Sequence, residues 1–213
     1  MKFKILLFLI SLTIAPAVSA QTKNDIFHYD TSITWLGLDF TQARFVGDRE
    51  AWKDESRMHE TLEAMNHLMI KERDKYAIAA AIDKPQVENE PRITIIHNGK
   101  LNLMDRISDS MTDHILNASD IQEIVRHYDF KGLQGVGLMF NIESFNKPSE
   151  QAIVWITFVN MNTNEVLFTE KMTQSPGGFG LRNYWAGAIY KIIKDINKSD
   201  YQRWRKKYYR KSS

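Results

Sequence analysis

The last third of the sequence repeats apolar residues with the period of two that extended strands require. Residues 132–145 carry an apolar side chain at every second position, namely Val136, Leu138, Phe140 and Ile142. Residues 151–161 are apolar at both parities, which is typical of a strand covered on both faces. A short turn, Asn162-Thr163-Asn164, joins this run to a third one over residues 166–172. The pattern predicts a meander of three antiparallel strands.

Helical periodicity lies before and after this meander. Met58, Leu62, Met65 and Met69 form one apolar stripe, and residues 181–197 place Trp185 and four isoleucines on one face. The β-branched run at residues 92–97 predicts a short strand, and residues 101–116, which are ambiguous, fit a helix better than a strand. We therefore expect an α+β fold, with a mostly antiparallel sheet, helices packed on it, and a helix after the C-terminal meander.

The first twenty residues have the pattern of a signal peptide. Lys2 and Lys4 precede a short apolar run, and the segment ends in Ala17-Val18-Ser19-Ala20, a small-residue cleavage site. We expect removal of residues 1–20, a single domain over residues 21–198 and a C-terminal tail over residues 199–213. The sequence has no cysteine and no later apolar run long enough to span a bilayer. A periplasmic or secreted protein without a transmembrane segment is the expectation.

A glycine-rich segment precedes the last predicted helix. Gly177, Gly178 and Gly180 can bring backbone amides close to a ligand, and Arg182 falls in the first turn of the helix, where anions are favoured. These four residues are candidates for binding a phosphate or carboxylate. The alternative is a tight strand-to-helix turn that uses glycine for positive φ, with Phe179 packing inward.

The tail combines aromatic and basic residues. Six cations and no acid follow Asp200, and the core of this run is Trp204, Arg205, Lys206 and Lys207. Such a segment suits an envelope protein or an anionic glycan or lipid surface. Export makes nucleic acid an unsuitable partner. The alternative is a helix whose aromatic residues pack on the body of the protein while its cations stay solvated.

Two further groups of residues could carry chemistry. His59, Glu63 and His67 are spaced to lie along one helix face and are candidate metal ligands, although polar residues also border any amphipathic stripe. The carboxylates Asp39, Glu143 and Glu170 lie on predicted strands and could pair in a glycan hydrolase. No cysteine nucleophile and no Gly-x-Ser-x-Gly motif is present, and no cofactor motif is found.

Several motifs together resemble a known group of sequences. They are Trp35-Leu36-Gly37-Leu38-Asp39-Phe40, the run that begins at Gly135-Val136-Gly137, the strand Val154-Trp155-Ile156-Thr157-Phe158, and the segment Gly177-Gly178-Phe179-Gly180-Leu181-Arg182. The sequence resembles an uncharacterised family of exported Bacteroidetes-type proteins. This resemblance implies export from a bacterial cytoplasm, and it implies no activity and no site residues.

The absence of a catalytic motif favours a non-enzymatic role. Our leading hypothesis is an exported binding domain or an accessory domain of the cell envelope. The alternatives are a glycan hydrolase that uses the sheet-borne carboxylates and a small-anion-binding protein that uses the glycine-rich segment.

Overall fold

The computed structural model describes residues 21–52, 54–109 and 115–210. The predicted signal peptide lies outside the described residues. The strands are β1 (Ile33–Asp39), β2 (Arg44–Val46), β3 (Glu88–Asn89), β4 (Ile107–Ser108), β5 (Val136–Asn146), β6 (Gln151–Asn160) and β7 (Glu165–Gln174). The helices are α1 (Glu55–Lys71), α2 (Ile78–Ala81), α3 (Arg92–Asn98), α4 (Ala118–Arg126), α5 (Leu181–Asp195) and α6 (Tyr201–Tyr208), with a π-helical turn, Ile196–Asp200, between the last two.

Strand β5 is the centre of a mixed sheet. Along one edge it pairs antiparallel with β6, which pairs antiparallel with β7. Along the other edge it pairs parallel first with β1 and then with β2, while β3 and β4 add parallel to β1 and β2. Within the described residues, four of the six strand pairings are therefore parallel.

The prediction of a mostly antiparallel sheet is thus wrong. The consecutive strands β5, β6 and β7 do form an antiparallel meander, because short turns can join only antiparallel neighbours. The partners of β5 on its other edge come from a distant part of the sequence. The alternation of side chains shows that a segment is a strand, but it carries no information about the direction of a distant partner.

Helices cover both faces of the sheet. Helices α1, α5 and α6 bury the main core, in which the Trp185 ring stacks on Phe145 at 4.5 Å between centroids and on Trp52 at 5.6 Å. Helix α4 and Ile93 of α3 cover a smaller apolar cluster on the opposite face, which includes Trp155. The central strands are covered on both sides, which explains why β6 has apolar residues at both its odd and its even positions.

The outer edge of β1 is satisfied by side chains where a neighbouring strand is missing. Asn66 of α1 accepts a hydrogen bond from Leu38 N (2.7 Å) and donates one to Leu38 O (3.1 Å). Asn98 of α3 also donates to Leu38 O (2.9 Å) and accepts from Phe40 N (2.8 Å). Thr94 Oγ1 donates to Leu36 O (2.7 Å). These buried contacts attach α1 and α3 to the sheet.

Close approach of the two helices requires a glycine at position 37. Gly37 has φ of +98°, and a Cβ built there would lie 2.4 Å from Asn66 Oδ1 and 2.7 Å from Thr94 Oγ1. Any other residue would displace the two side chains that bond the edge of β1.

The same contacts explain why the predicted strand at residues 92–97 is wrong. This segment is helix α3, preceded by Pro91. Thr94 and Asn98 are four residues apart, so a helix places both on the face that meets β1. The hydrogen bonds to β1 outweigh the β propensity of the isoleucines. The predicted helix over residues 101–116 is also wrong in its first half, which contains a 3₁₀ turn (Met104–Arg106) and β4. Residues 110–114 lie outside the described residues.

We predict that Asn66→Ala lowers the free energy of unfolding by about 2–3 kcal/mol, because the buried Leu38 N–H loses its acceptor. Urea unfolding followed by circular dichroism measures this change. Asn197→Ala is the matched control, since Asn197 is exposed, and we expect less than about 0.5 kcal/mol. Equal effects of the two substitutions would contradict the view that the Asn66 side chain stabilises the outer edge of β1.

Candidate functional site

The three sequence-predicted carboxylates do not converge. In the register of the sheet, Asp39 pairs with Asn141 on β5, and Glu143 follows two residues later on the same face. Glu170 on β7 pairs with Ile156, whose side chain belongs to the main core on the other face. Only Asp39 and Glu143 share a face of the sheet.

Asp39 is a buried member of a polar cluster between α3 and α4. Its carboxylate is 1% exposed and accepts hydrogen bonds from Asn141 Nδ2 (2.7 Å) and Thr41 N (2.9 Å). Burial and the negative charge of Asp39 raise the pKa of the Tyr128 hydroxyl well above its usual value. The His97 ring stacks on Tyr128 at 4.3 Å, and burial lowers the pKa of His97 although Asp39 opposes this shift.

Glu143 is held by two neighbouring strands. It is 1% exposed, and its Oε2 accepts from Trp155 Nε1 of β6 (2.7 Å) and pairs with Lys171 Nζ of β7 (2.9 Å). The ammonium of Lys171 also lies 4.9 Å from the centre of the Trp155 ring. Both sheet carboxylates are thus covered by the protein and already hydrogen-bonded, an arrangement that orders the strands.

The glycine-rich segment is anchored to α5. Gly177 N donates to Tyr184 O (2.9 Å), and a Cβ at Gly187 would lie 2.0 Å from Gly177 O, so the loop and the helix are in backbone contact. Lys191 Nζ donates to the carbonyl (2.9 Å) and hydroxyl (2.8 Å) of Ser175. Gly177 therefore serves close packing, and the loop is fixed at its base.

The tip of this loop points into solvent. Phe179 is 95% exposed, so the expectation that it packs inward is wrong. The flanking residues Gly178 and Gly180 have φ of +126° and +78°, a backbone path that turns the intervening side chain away from the body. An apolar residue next to a helix suggests a core position in the sequence, but here the loop conformation overrides that pattern.

A pocket of about 430 Å³ adjoins the loop and the start of α5. It is lined by Ala51, Lys147, Gly178, Gly180, Leu181 and Tyr184. Gly180 caps α5 without a side chain, so no side chain from the cap position bonds the first helical amides. We call Phe179 together with this pocket the glycine-loop surface.

Arg182 does not line this pocket. It is exposed, and its Nε donates to Asn183 Oδ1 (3.1 Å). Two residues correspond to about 200° around a helix, so Arg182 and the pocket residue Tyr184 face different directions. Of the four residues predicted to bind a ligand, the structure brings Gly178 and Gly180 to the pocket and leaves Gly177 and Arg182 outside. Ligand binding by this set stays a prediction.

The C-terminal tail is a helix that closes the core. Trp204 is fully buried, with its ring 5.0 Å from that of Phe168, and Tyr201 Oη donates to Ile26 O (2.9 Å). Arg205 pairs with Asp83 at 3.3 Å. Lys206 and Lys207 are the exposed members of the predicted partner-binding set. Trp204 is buried beneath the surface formed by Lys206 and Lys207, so it is not available for direct contact with a partner. Partner binding by this tail stays a prediction.

The predicted metal ligands lie on the outer side of α1. His67 Nε2 and Glu63 Oε1 are 3.4 Å apart in an exposed pair, and His59 is half-buried two turns earlier. In the part of the chain that the structure describes, no group of three or more His, Cys, Asp or Glu residues is arranged to hold a metal ion.

The sequence pattern did not predict that Lys84 is buried. Lys84 is 5% exposed, and its ammonium donates to His28 O. Burial lowers the pKa of Lys84 to about 8, with Asp83 and Asp30 opposing and Arg205 assisting this shift. A pocket of about 540 Å³ beside it, which we call the α1–β3 pocket, is lined by residues 69, 73–74, 76–80, 84–87 and 89. In the sequence, the burial of Lys84 is indicated only by its position next to Pro85 and two residues after the apolar Ile82.

Comparison with known proteins identifies no family. No family model matches the sequence, and no curated protein matches it. The structure has a weak similarity to the C-terminal domain of LpoB from Salmonella enterica, with 14% sequence identity over 68% of this chain and 82% of that chain. The TM-score of 0.28 is too low to establish a shared fold. No helix among the described residues has both the length and the apolar character needed to cross a membrane.

We predict that raising the pH stabilises the wild type relative to Lys84→Met. Because the pKa of Lys84 falls from 10.5 to about 8 on folding, the unfolded state binds more protons between these values, and stability therefore rises with pH there. The variant lacks this titration. The difference between the two free energies of unfolding, measured in urea at pH 7 and pH 10.5, should change by about 3 kcal/mol in favour of the wild type.

Lys100→Met is the control for this measurement, since Lys100 is an exposed lysine. A difference between Lys84→Met and wild type that does not depend on pH would show that the Lys84 ammonium is fully solvated.

Proposed function

We propose that this chain is an exported binding protein of the bacterial cell envelope, without catalytic activity, and that the glycine-loop surface is its contact site. The observation that carries the proposal is Phe179, a fully presented aromatic side chain on a loop whose base is fixed to α5. An exposed aromatic residue, which has only two side-chain torsions, can bury a large apolar area in a partner at little cost in conformational entropy.

The pocket beside Phe179 supports this assignment. Leu181 and Tyr184 contribute apolar area to its wall, the Lys147 ammonium donates to Ala51 O, and Tyr184 Oη donates to the carboxylate of Glu150 (3.3 Å). The matching partner is a protein that offers an apolar side chain surrounded by polar groups. Aromatic anchors of this kind, surrounded by polar groups, are typical centres of binding energy in protein interfaces.

The sheet carboxylates do not support the hydrolase alternative. A glycosidase acid and its partner must both reach the substrate, with a separation set by the stereochemistry of the reaction. Asp39 and Glu143 are each 1% exposed and each hydrogen-bonded within the sheet. Glu170 lies on the opposite face. The predicted export signal and the resemblance to exported Bacteroidetes-type proteins support a role in the envelope.

A comparative pull-down tests the proposal. The wild type and Phe179→Ser are each immobilised and incubated with an envelope extract of the bacterium that produces the protein, and bound proteins are identified by mass spectrometry. Because Phe179 is solvent-exposed, we expect Phe179→Ser to fold like the wild type. We expect recovery of the specific partner to fall at least about tenfold, the effect of losing one interface anchor of 1.4 kcal/mol or more.

Ile96→Ser is the matched control, since Ile96 is a 49% exposed apolar residue on α3, which covers the other face of the sheet. It should retain the partner. Equal recovery with Phe179→Ser and Ile96→Ser would contradict the assigned contact site. Turnover of a glycan by the wild type that is lost in Glu143→Gln would contradict the non-catalytic assignment.

A further inference from the structure

Strand β7 forms an open edge of the sheet. Among the described residues, β6 is the one strand that pairs with it. The hydrogen bonds of an antiparallel pair alternate along the strand, so every second residue of an edge strand directs its backbone N–H and C=O outward. Met161 N donates to Gly135 O (3.0 Å), which continues the β5–β6 ladder and fixes this alternation for β6. Carried through the β6–β7 register, it identifies the outward-facing residues of β7 as Thr169, Lys171 and Thr173.

The protein satisfies the start of this edge and leaves the rest open. Val166 N donates to Gln122 Oε1 of α4 (2.8 Å). The side chains of Thr169 and Lys171 bond other side chains, and in the described ranges no side chain bonds the outward backbone groups of residues 169, 171 or 173. The outer edge of β1 is different, because side chains of α1 and α3 satisfy it. The N–H and C=O groups of three residues of β7 are therefore available to a partner strand.

The usual protections of an edge strand are missing from this part of β7. A lysine on the edge commonly blocks pairing with another strand. Here Lys171 Nζ pairs with Glu143 at 2.9 Å and lies 4.9 Å from the centre of the Trp155 ring, so the ammonium is held over the face of the sheet. Strand β7 contains no proline, and its ten residues exceed the usual length of a strand. Thr173 is exposed, so the edge is accessible at that position.

The arrangement of the open residues fits a second copy of the same strand. They are symmetric about Lys171, so an antiparallel pair with Lys171 of each copy on the two-fold axis places Thr169 opposite Thr173 of the second copy. In this register every outward residue meets an outward residue. Opposed threonines are a favourable cross-strand pair. Each Lys171 is neutralised by its own Glu143, and the formal net charge of the sequence is only +2, so repulsion between copies is weak.

We propose that β7 pairs antiparallel with β7 of a second copy of this chain, in the register centred on Lys171, and so joins two sheets into one. Backbone hydrogen bonds at three positions of each copy hold the pair together. This interface does not include Phe179. Phe179→Ser should therefore dimerise as the wild type does, whatever its effect on partner binding.

Sedimentation equilibrium of the wild type and Thr173→Pro tests the proposal. At about 100 µM we expect the wild type to sediment as a dimer. Thr173→Pro removes an N–H that points away from β6, a position where an edge strand tolerates proline, so the variant should fold and sediment as a monomer. Thr173→Val, which keeps this N–H, is the matched control and should remain dimeric. A monomeric wild type, or a folded Thr173→Pro variant that remains dimeric, would overturn the proposal.

Disulfide cross-linking tests the register and does not depend on the proline variant. The chain has no cysteine of its own, so Thr169→Cys and Thr173→Cys each carry a single thiol. In the proposed register these two positions face each other with Cα atoms about 5.5 Å apart, within the range of a disulfide. An oxidised mixture of the two variants should form a covalent dimer. Either variant alone should not, because identical positions lie roughly 14 Å apart. No covalent dimer from the mixture, or equal yields from the mixture and from either variant alone, would contradict this pairing.

Discussion

The structure depends on how the outer edge of β1 is satisfied. The backbone groups of Leu36, Leu38 and Phe40 face away from β5 and lie in the interior, where an unpaired N–H or C=O is costly. Asn66, Thr94 and Asn98 supply the missing donors and acceptors. These bonds fix the position of α1 and α3 against the sheet, and Gly37 provides the space that they need. Two helices thus take the place of a strand.

This edge determines the arrangement of the rest. Helix α1, once attached through Asn66, shares the main core with α5, and α5 in turn holds the base of the glycine-rich loop through Gly177 and Gly187. The loop can then present Phe179 without losing its own order. The end of α1 also forms one wall of the α1–β3 pocket. The glycine-loop surface therefore lies on elements that one buried hydrogen-bond network helps to place.

Periodicity was sufficient to predict the meander, α1 and α5, because each has a continuous buried stripe or alternation in the sequence. It was insufficient where a tertiary contact decided the outcome. The isoleucines of residues 92–97 favour a strand, yet Thr94 and Asn98 bond β1 only from a helix. The parallel pairing of β1 with β5 depends on partners more than ninety residues apart. The exposure of Phe179 and the burial of Lys84 depend on loop paths that local sequence does not encode.

We propose that the protein acts by binding a partner through Phe179. Site-specific photo-crosslinking in living cells tests it most directly, with benzoylphenylalanine introduced in place of Phe179 in one strain and in place of Ile96 in another. We expect an adduct of defined mass, containing one partner protein, from position 179, and we expect this adduct to be absent from position 96. No adduct from position 179, or the same adducts from both positions, would contradict it.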